Sequence, residues 1–497
     1  MKNFRLLCAI LVILYSTVTL NKQYDLISRD LLKEKRAQSF MFTRPVYYLV
    51  PLEMDLWRDV IYDLDRESRR SFQIAGFYQQ SMSNCAVSRY FLINHKNTLL
   101  VAGDGADPQL VAERDVRAEW VNLPSNFSGL MSLDPAQKQS GFLIEYNQDI
   151  GALFDISFLE GFFLGIGLPF VSVENRLNLT QSNITNPGTA PEQRDIISAF
   201  NQSAWLFGKI NERTCRSGLA EITLRLGKAY MSACDYQIAY YSFLRLPTSV
   251  KQNPKYMFDA IIGNNQHLGI GTGVNFQILL NRDTTCYSFC FYVDAENTLL
   301  WRNYQWRSLD LQRKPQDLRG ETKQKQWSRY MLLTRRDDLP GTPFIPAINV
   351  LTRQVRVKPF NMLDFSAGWR FKMSQMTFDL GYNLWAHGSE NLRLRELSRN
   401  EIFGIAGSAP GITASESTID HQAPDDPTFV SIFNSDLYLK SGASRSSLGQ
   451  GIHGSFGVTH TGSNCDLLLG LGFWVEFPQK NTSLKNMGFW VKSGASF

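Results

Sequence analysis

The sequence predicts an all-β chain: a transmembrane, antiparallel, up-and-down β-barrel of about twelve strands behind an N-terminal plug or helical segment. Three observations carry that expectation. The chain ends in Phe497, an aromatic on the apolar face of a strand that runs to the last residue. Stretches of alternating apolar and polar residues recur in hairpin pairs from about residue 69 onward. The connections between those stretches are short on one side and long on the other, as barrels that cross a membrane require.

The terminal strand sets the pattern. Met487, Phe489, Val491, Ala495 and Phe497 share one side, and Gly488, Trp490, Lys492, Gly494 and Ser496 share the other. In a membrane the backbone polar groups must be satisfied within the protein, so spanning strands have to close on themselves. Phe489, Val491 and Phe497 are therefore the candidate barrel-closing and assembly residues.

Composition agrees and excludes alternatives. Mean hydropathy of −0.20 rules out a bundle of apolar spanning helices. Aromatic content of 12% suits girdles at two interfaces. A net charge of +5 over 497 residues gives no basis for nucleic-acid binding. Residues 1–20 read as a signal peptide, because Lys2 and Arg5 precede an apolar run from Leu6 to Leu14. Residues 21–68 form an N-terminal segment. Leu52, Leu56, Trp57, Val60, Ile61 and Leu64 recur there at helical spacing, which suits a lumen plug or a helix under the barrel.

The barrel is expected over 69–497. Its strands fall at about 69–82, 139–149, 153–175, 216–227, 233–246, 265–280, 286–307, 359–372, 376–387, 451–461, 465–477 and 485–497. Alternation in Ser435–Lys440 would raise the count to fourteen. The tight turn at Ser374–Gln375 fixes a register that sets Phe371 opposite Phe378 and Arg370 opposite Asp379. An even count puts both chain ends on one rim, and the connections 83–138, 176–215, 308–358 and 388–450 become long outer loops. Residues Gln193–Phe200 read as a short helix within one of them.

The inward face is rich in Gly, Ser, Asn and charge, which fits a wet or plugged lumen. Asp294, Asp364, Arg370, Lys372, Asp379 and Glu476 are the lumen candidates. Glycines such as Gly269, Gly271, Gly273, Gly470 and Gly472 would leave room inside or let strands bend. No cofactor or metal pattern appears. The acids Asp420, Asp425 and Asp426 match no calcium-loop spacing, and the cysteines fit no zinc spacing. Cys286 and Cys290 share a strand face but lie roughly 13 Å apart. Arg313, Lys314, Arg319, Lys323, Lys325, Arg329, Arg335 and Arg336 make the loop 308–358 basic, either as a solvated surface or against lipopolysaccharide phosphates. His453 and Ser455 lie two apart on one face, yet about 7 Å is too far for a nucleophile and its base. There is no G-x-S-x-G, and no enzyme is expected. Sequons at Asn126, Asn178, Asn183, Asn201 and Asn481 would also suit a secreted glycoprotein.

Export signal, hairpin alternation, loop asymmetry and terminal Phe497 together resemble Gram-negative outer-membrane β-barrel proteins over about 69–497. The resemblance implies the bacterial outer membrane, its lipids and lipopolysaccharide, and the barrel assembly machinery as partners. In having an N-terminal plug before a medium barrel, the chain is also similar to the long-chain fatty-acid transporter family; the strand count here is lower, and no site residues carry over. The expected role is passive passage of small or hydrophobic solutes. The alternatives are a structural or adhesive barrel without an open pore, and an outer-membrane hydrolase.

Overall fold

The computed structural model describes residues 37–58, 69–93, 96–210, 213–232, 236–282, 287–312, 327–336, 342–395, 402–406, 431–462, 465–479 and 481–497. The expected signal peptide, the helical positions Val60, Ile61 and Leu64, Cys286, and the acids Asp420, Asp425 and Asp426 lie outside the described residues.

Twelve strands close into one barrel: β1 (Arg70–Ser81), β2 (Ala136–Asp149), β3 (Phe162–Arg176), β4 (Glu221–Ser232), β5 (Tyr236–Pro247), β6 (Gly269–Arg282), β7 (Tyr287–Leu300), β8 (Asn361–Met373), β9 (Met376–His387), β10 (Ser447–Thr461), β11 (Asp466–Pro478) and β12 (Asn486–Ser496). Each is antiparallel to its neighbours in sequence. The ring closes where β1 pairs with β12 from Ser71↔Ser496 to Ser81↔Asn486. Arg70 and Phe497 exchange backbone hydrogen bonds of 2.9 Å beyond the last pair, so the terminal residue is part of the seam. No described helix is long and apolar enough to cross a membrane; the strands, 11 to 15 residues each, do so.

Period-two alternation decides which way each side chain points. On β11, Leu467, Leu469, Leu471 and Phe473 are exposed, while Leu468 and Trp474 between them are buried. On β12, Met487, Phe489 and Val491 face out and Trp490 and Lys492 face in. An apolar exterior around a charged interior inverts a soluble protein and matches a lipid surround. The Ser374–Gln375 hairpin has the expected register: Phe371 faces Phe378, and Arg370 faces Asp379.

The structure departs from the sequence reading at four places, the first being the seventh strand, expected over 286–307, which ends at Leu300 while Asn303–Ser308 pairs with Thr352–Lys358 in a separate sheet. The third strand begins at Phe162 rather than 153. Asp149 caps a short helix at Ile150–Phe154, and left-handed backbone at Asp155 and Gly161 breaks the run. Phe154, Ile156 and Phe158 are exposed at this rim and only imitate strand alternation. The fourth strand is split: Thr214–Leu219 pairs with Asn175–Phe170, then the chain irregularly rejoins as β4. The residues around Ser435–Lys440 add no barrel strand, because Leu437–Tyr438 pairs with Asp310–Leu311 outside it.

The long outer connections fold together. Trp120, Trp205, Trp327, Tyr330, Phe91, Phe127 and Phe200 share a buried core with short sheet strands around it. Trp205 stacks on Tyr330 at 4.9 Å, and Phe200 meets both edge-on. This cap contains the expected short helix, at Ile196–Ala199. It also contains His267, whose Nδ1 bonds the Trp301 carbonyl at 2.6 Å and whose Nε2 meets the Gln305 amide at 2.9 Å. Burial holds that imidazole neutral and lowers its pKa to about 4. The unfolded chain therefore binds the extra proton first as pH falls below about 6.5. Stability is full above 6.5 and drains between 6.5 and 4, by up to about 3 kcal/mol. Thermal melts across that window are expected to slope upward with pH, and His267→Gln to flatten the slope.

Candidate functional site

The lumen is occupied by the chain's own N-terminal segment. Residues 37–42 sit in the cap, where Gln38 N–H donates to the Tyr90 carbonyl and Ser39 N–H to that of Ser441, each at 2.8 Å. The segment then descends through the barrel. Its helix, α1 (Val50–Met54), is one turn long. This turn ends because Asp55 is extended and Leu56 takes a left-handed backbone with φ 64°, which a helix cannot continue through.

Four charged plug residues meet charged wall residues, from the outer end inward. Arg44 reaches Asp364 on β8 at 2.5 Å and Glu476 on β11, with Asn383 donating to Glu476 at 3.1 Å. Glu53 receives both terminal nitrogens of Arg225 on β4, one at 2.5 Å. Arg225 also holds Glu145 on β2 at 2.9 Å, and Arg245 on β5 joins Glu296 on β7 at 2.7 Å. Arg58 forms a two-pronged pair with Asp294 on β7 and lies over the Tyr292 ring at 3.9 Å. Asp55 accepts from His453 Nδ1 at 2.8 Å, and His453 Nε2 meets the Ser366 hydroxyl at 3.1 Å.

The backbone of the plug is fixed too. Lys492 Nζ donates to the Glu53 and Asp55 carbonyls at 2.8 Å, and Leu56 N–H donates to Asp379 at 2.7 Å. Asp379 meanwhile holds Arg370 at 2.7 and 3.0 Å. Apolar plug residues fill the gaps: Phe42, Val46, Leu52, Leu56 and Trp57 pack among Phe163, Phe243, Trp385, Trp474 and Trp490.

Of the expected lumen residues, Asp294, Asp364, Arg370, Asp379 and Glu476 are buried on the inward face. Asp294, Asp364, Asp379 and Glu476 bond the plug directly, and Arg370 acts through Asp379. Lys372 lies half-buried opposite Thr377 near the short turn and is not among the plug contacts described above. Phe489, Val491 and Phe497 point outward on the closing strand. The inward glycines do not leave a void. Gly470 makes room for Leu56, Gly494 for Trp57, Gly472 for Trp490, and Gly271 and Gly273 for Phe243 and Tyr241.

Sequence reasoning missed the plug's own Arg44, Glu53, Asp55 and Arg58, and the wall's Arg225, Arg245, Glu296 and Lys492. Two of the wall group carry a readable signal, since Arg225 lies between Leu224 and Leu226 and Arg245 between Leu244 and Leu246, each a charge at an inward position between apolar neighbours. His453 and Ser455, expected to share a face but to lie too far apart to act together, take different partners. Ser455 turns to Asp379 at 3.4 Å, and His453 joins Ser366 and Asp55. The order Ser366, His453, Asp55 is that of a nucleophilic relay, but Ser366 is wholly buried and the carboxylate belongs to the plug. The row ties the plug to two strands.

Energetics separate holding from stabilising. Desolvating two charges roughly cancels their attraction, so such pairs add little net stability. Breaking one buried partner costs about 3–5 kcal/mol. The pairs therefore fix where the plug sits far more than how firmly the barrel folds. Among the described residues no cluster of His, Cys, Asp or Glu could hold a metal ion. Cys85, Cys215 and Cys465 are free thiols.

No family model matches the chain, and no curated protein matches its sequence. Among solved structures it is similar to an outer membrane channel from Pseudomonas putida F1, at 10% identity over 86% of this chain and 94% of that one, with a TM-score of 0.32. A Pseudomonas aeruginosa FadL homologue is similar at 8% identity, over 86% of this chain and 89% of that one, with a TM-score of 0.25. The outer membrane channel DcaP of Acinetobacter baumannii is similar at 10% identity, over 86% and 97%, with a TM-score of 0.19. The chain's own strand pairing and apolar exterior make it a membrane-spanning antiparallel β-barrel with an internal plug.

Proposed function

We propose that the chain is a plugged outer-membrane channel, passing small solutes passively when the segment 37–58 shifts or leaves. The observation that carries this reading is the chemistry of the plug's seat. The wall under the plug is lined by Glu145, Arg225, Asp294, Asp364, Asp379 and Glu476, which would face water once it moved. A barrel built only for strength would fill that space with apolar side chains, which pack without a desolvation cost. The aromatic side chains of Tyr241, Phe243, Trp385, Trp474 and Trp490, which pack with the plug, would suit the apolar part of a passing solute. Planar-bilayer recording tests the reading. The full chain is expected to be silent for most of the record, and a chain lacking 37–58 to conduct steadily. If neither conducts while both keep the heat-modifiable gel mobility of a folded barrel, the channel reading fails and a structural barrel replaces it.

A further inference from the structure

Above the outer rim, three short strands, Asn303–Ser308, Thr352–Lys358 and Asn391–Leu394, form a sheet that continues the barrel wall. One face is buried through Gln305, Arg307, Val355, Val357 and Leu392. The other presents Tyr304 and Trp306 from the first strand, Arg356 and Lys358 from the second, and Arg393 from the third. Arg395 extends this face, with its guanidinium 5.1 Å from the Tyr304 ring centre. No carboxylate occupies any of these face positions.

The register contains a conflict. Arg356 lies directly across from Arg393, and Tyr304 directly across from Arg356. Like charges facing each other across a strand pair destabilise a sheet. Neither Arg356 nor Arg393 has an ion-pair partner among the described residues. An anion between them would turn that repulsion into attraction, and two guanidinium groups suit the oxygens of a phosphate.

The place of the face says which phosphate. Leu299 and Trp301, at the outer end of β7, are 51% and 61% exposed and continue the lipid-facing band to the base of this sheet. Trp and Tyr concentrate at the headgroup level of a membrane, where one end of the ring is dry and the other wet. A row of aromatics leading directly into a row of cations follows the order of acyl chain, interface and phosphate.

We propose that this face binds the phosphate groups of the outer-leaflet glycolipid, holding lipopolysaccharide against the barrel between the sheet and Trp301. The site is separate from the plug and stands whether or not the lumen conducts. The test is a binding titration of the purified full chain in detergent with lipopolysaccharide, enzymatically dephosphorylated lipopolysaccharide and inorganic pyrophosphate. Saturable binding of the intact lipid is expected, weakened at least tenfold by dephosphorylation and at least tenfold in Arg356→Glu/Arg393→Glu. Arg356→Gln/Arg393→Gln, which removes the repulsion without adding charge, is expected to fall between, with barrel gel mobility unchanged in both. Equal binding by wild type and both variants, or equal binding of dephosphorylated lipid, overturns the proposal. Pyrophosphate binding as tightly as the lipid also overturns it, in favour of a free-phosphate site.

Discussion

Arg225→Met is expected to unseat the plug while leaving the barrel closed. Among the described residues, Arg225 is the sole cation that the carboxylates of Glu53 of the plug and Glu145 of the wall both bond directly, and Glu296 lies 3.9 Å away. Methionine keeps the unbranched stem as far as the Nε position and removes the charge. Glu53 and Glu145 then share a buried setting without the cation that joined them. An uncompensated buried charge costs about 3–5 kcal/mol, and each 1.4 kcal/mol is tenfold in population. The plug-displaced state should therefore rise by at least about a hundredfold, read as opening frequency in bilayer recordings. Adding Glu53→Gln to Arg225→Met should restore much of the silence, because the charge left stranded on the plug is gone. Should the double variant open as often as Arg225→Met alone, the ion pair is not what seats this part of the plug.

Trp57→Ala is the second large effect. Trp57 is fully buried at the inner end of the plug, and its ring lies over Gly494 of β12 so closely that a Cβ there would overlap it. Removing a buried tryptophan typically costs about 3–5 kcal/mol. Gly494→Ala should be harmful for the opposite reason, since the ring has backbone of β1 behind the same site. Because the two changes act on one contact, they should not add. Trp57→Ala/Gly494→Ala should melt within about 1 kcal/mol of Trp57→Ala alone, since distant sites add within about 0.5 kcal/mol and these do not. Full additivity in chemical denaturation would mean that the ring does not pack on Gly494.

Strands were legible where one face meets lipid and the other does not. β8 and β9 needed only Leu363 to Leu384 and a two-residue turn to set Arg370 against Asp379, a pair the structure contains at 2.7 Å. Periodicity misled where apolar residues alternate without pairing. Phe154, Ile156 and Phe158 look like strand, but they sit at the inner rim, where exposed aromatics meet the membrane interface. Within the helix expected over Leu52 to Leu64, the described residues break after Met54, at extended Asp55 and left-handed Leu56, which no propensity marks. The cap was hidden for another reason. Trp120, Trp205, Trp327 and Tyr330 are scattered through three loops with no period, and only the tertiary fold collects them.

The site was half legible for a physical reason as well. Wall charges such as Asp364 and Asp379 stand out because they interrupt apolar alternation. Plug charges such as Glu53 and Arg58 lie in a segment with no strand period to interrupt. Their partners lie hundreds of residues away, as Asp294 is for Arg58, and pairing across the lumen leaves no local trace.

One measurement bears most directly on the claim that movement of the plug opens the barrel. Leu56 approaches Gly470 of β11 closely enough for cysteines at both positions to bring their Cβ atoms within about 5 Å, near the spacing of a disulfide. Leu56→Cys/Gly470→Cys, in a background with the seven native cysteines replaced by serine, should show no openings in a planar bilayer when oxidised and should regain the full chain's intermittent openings when a reductant is added to the chamber. Equal conduction before and after reduction, with the crosslink confirmed by mass, would contradict the account.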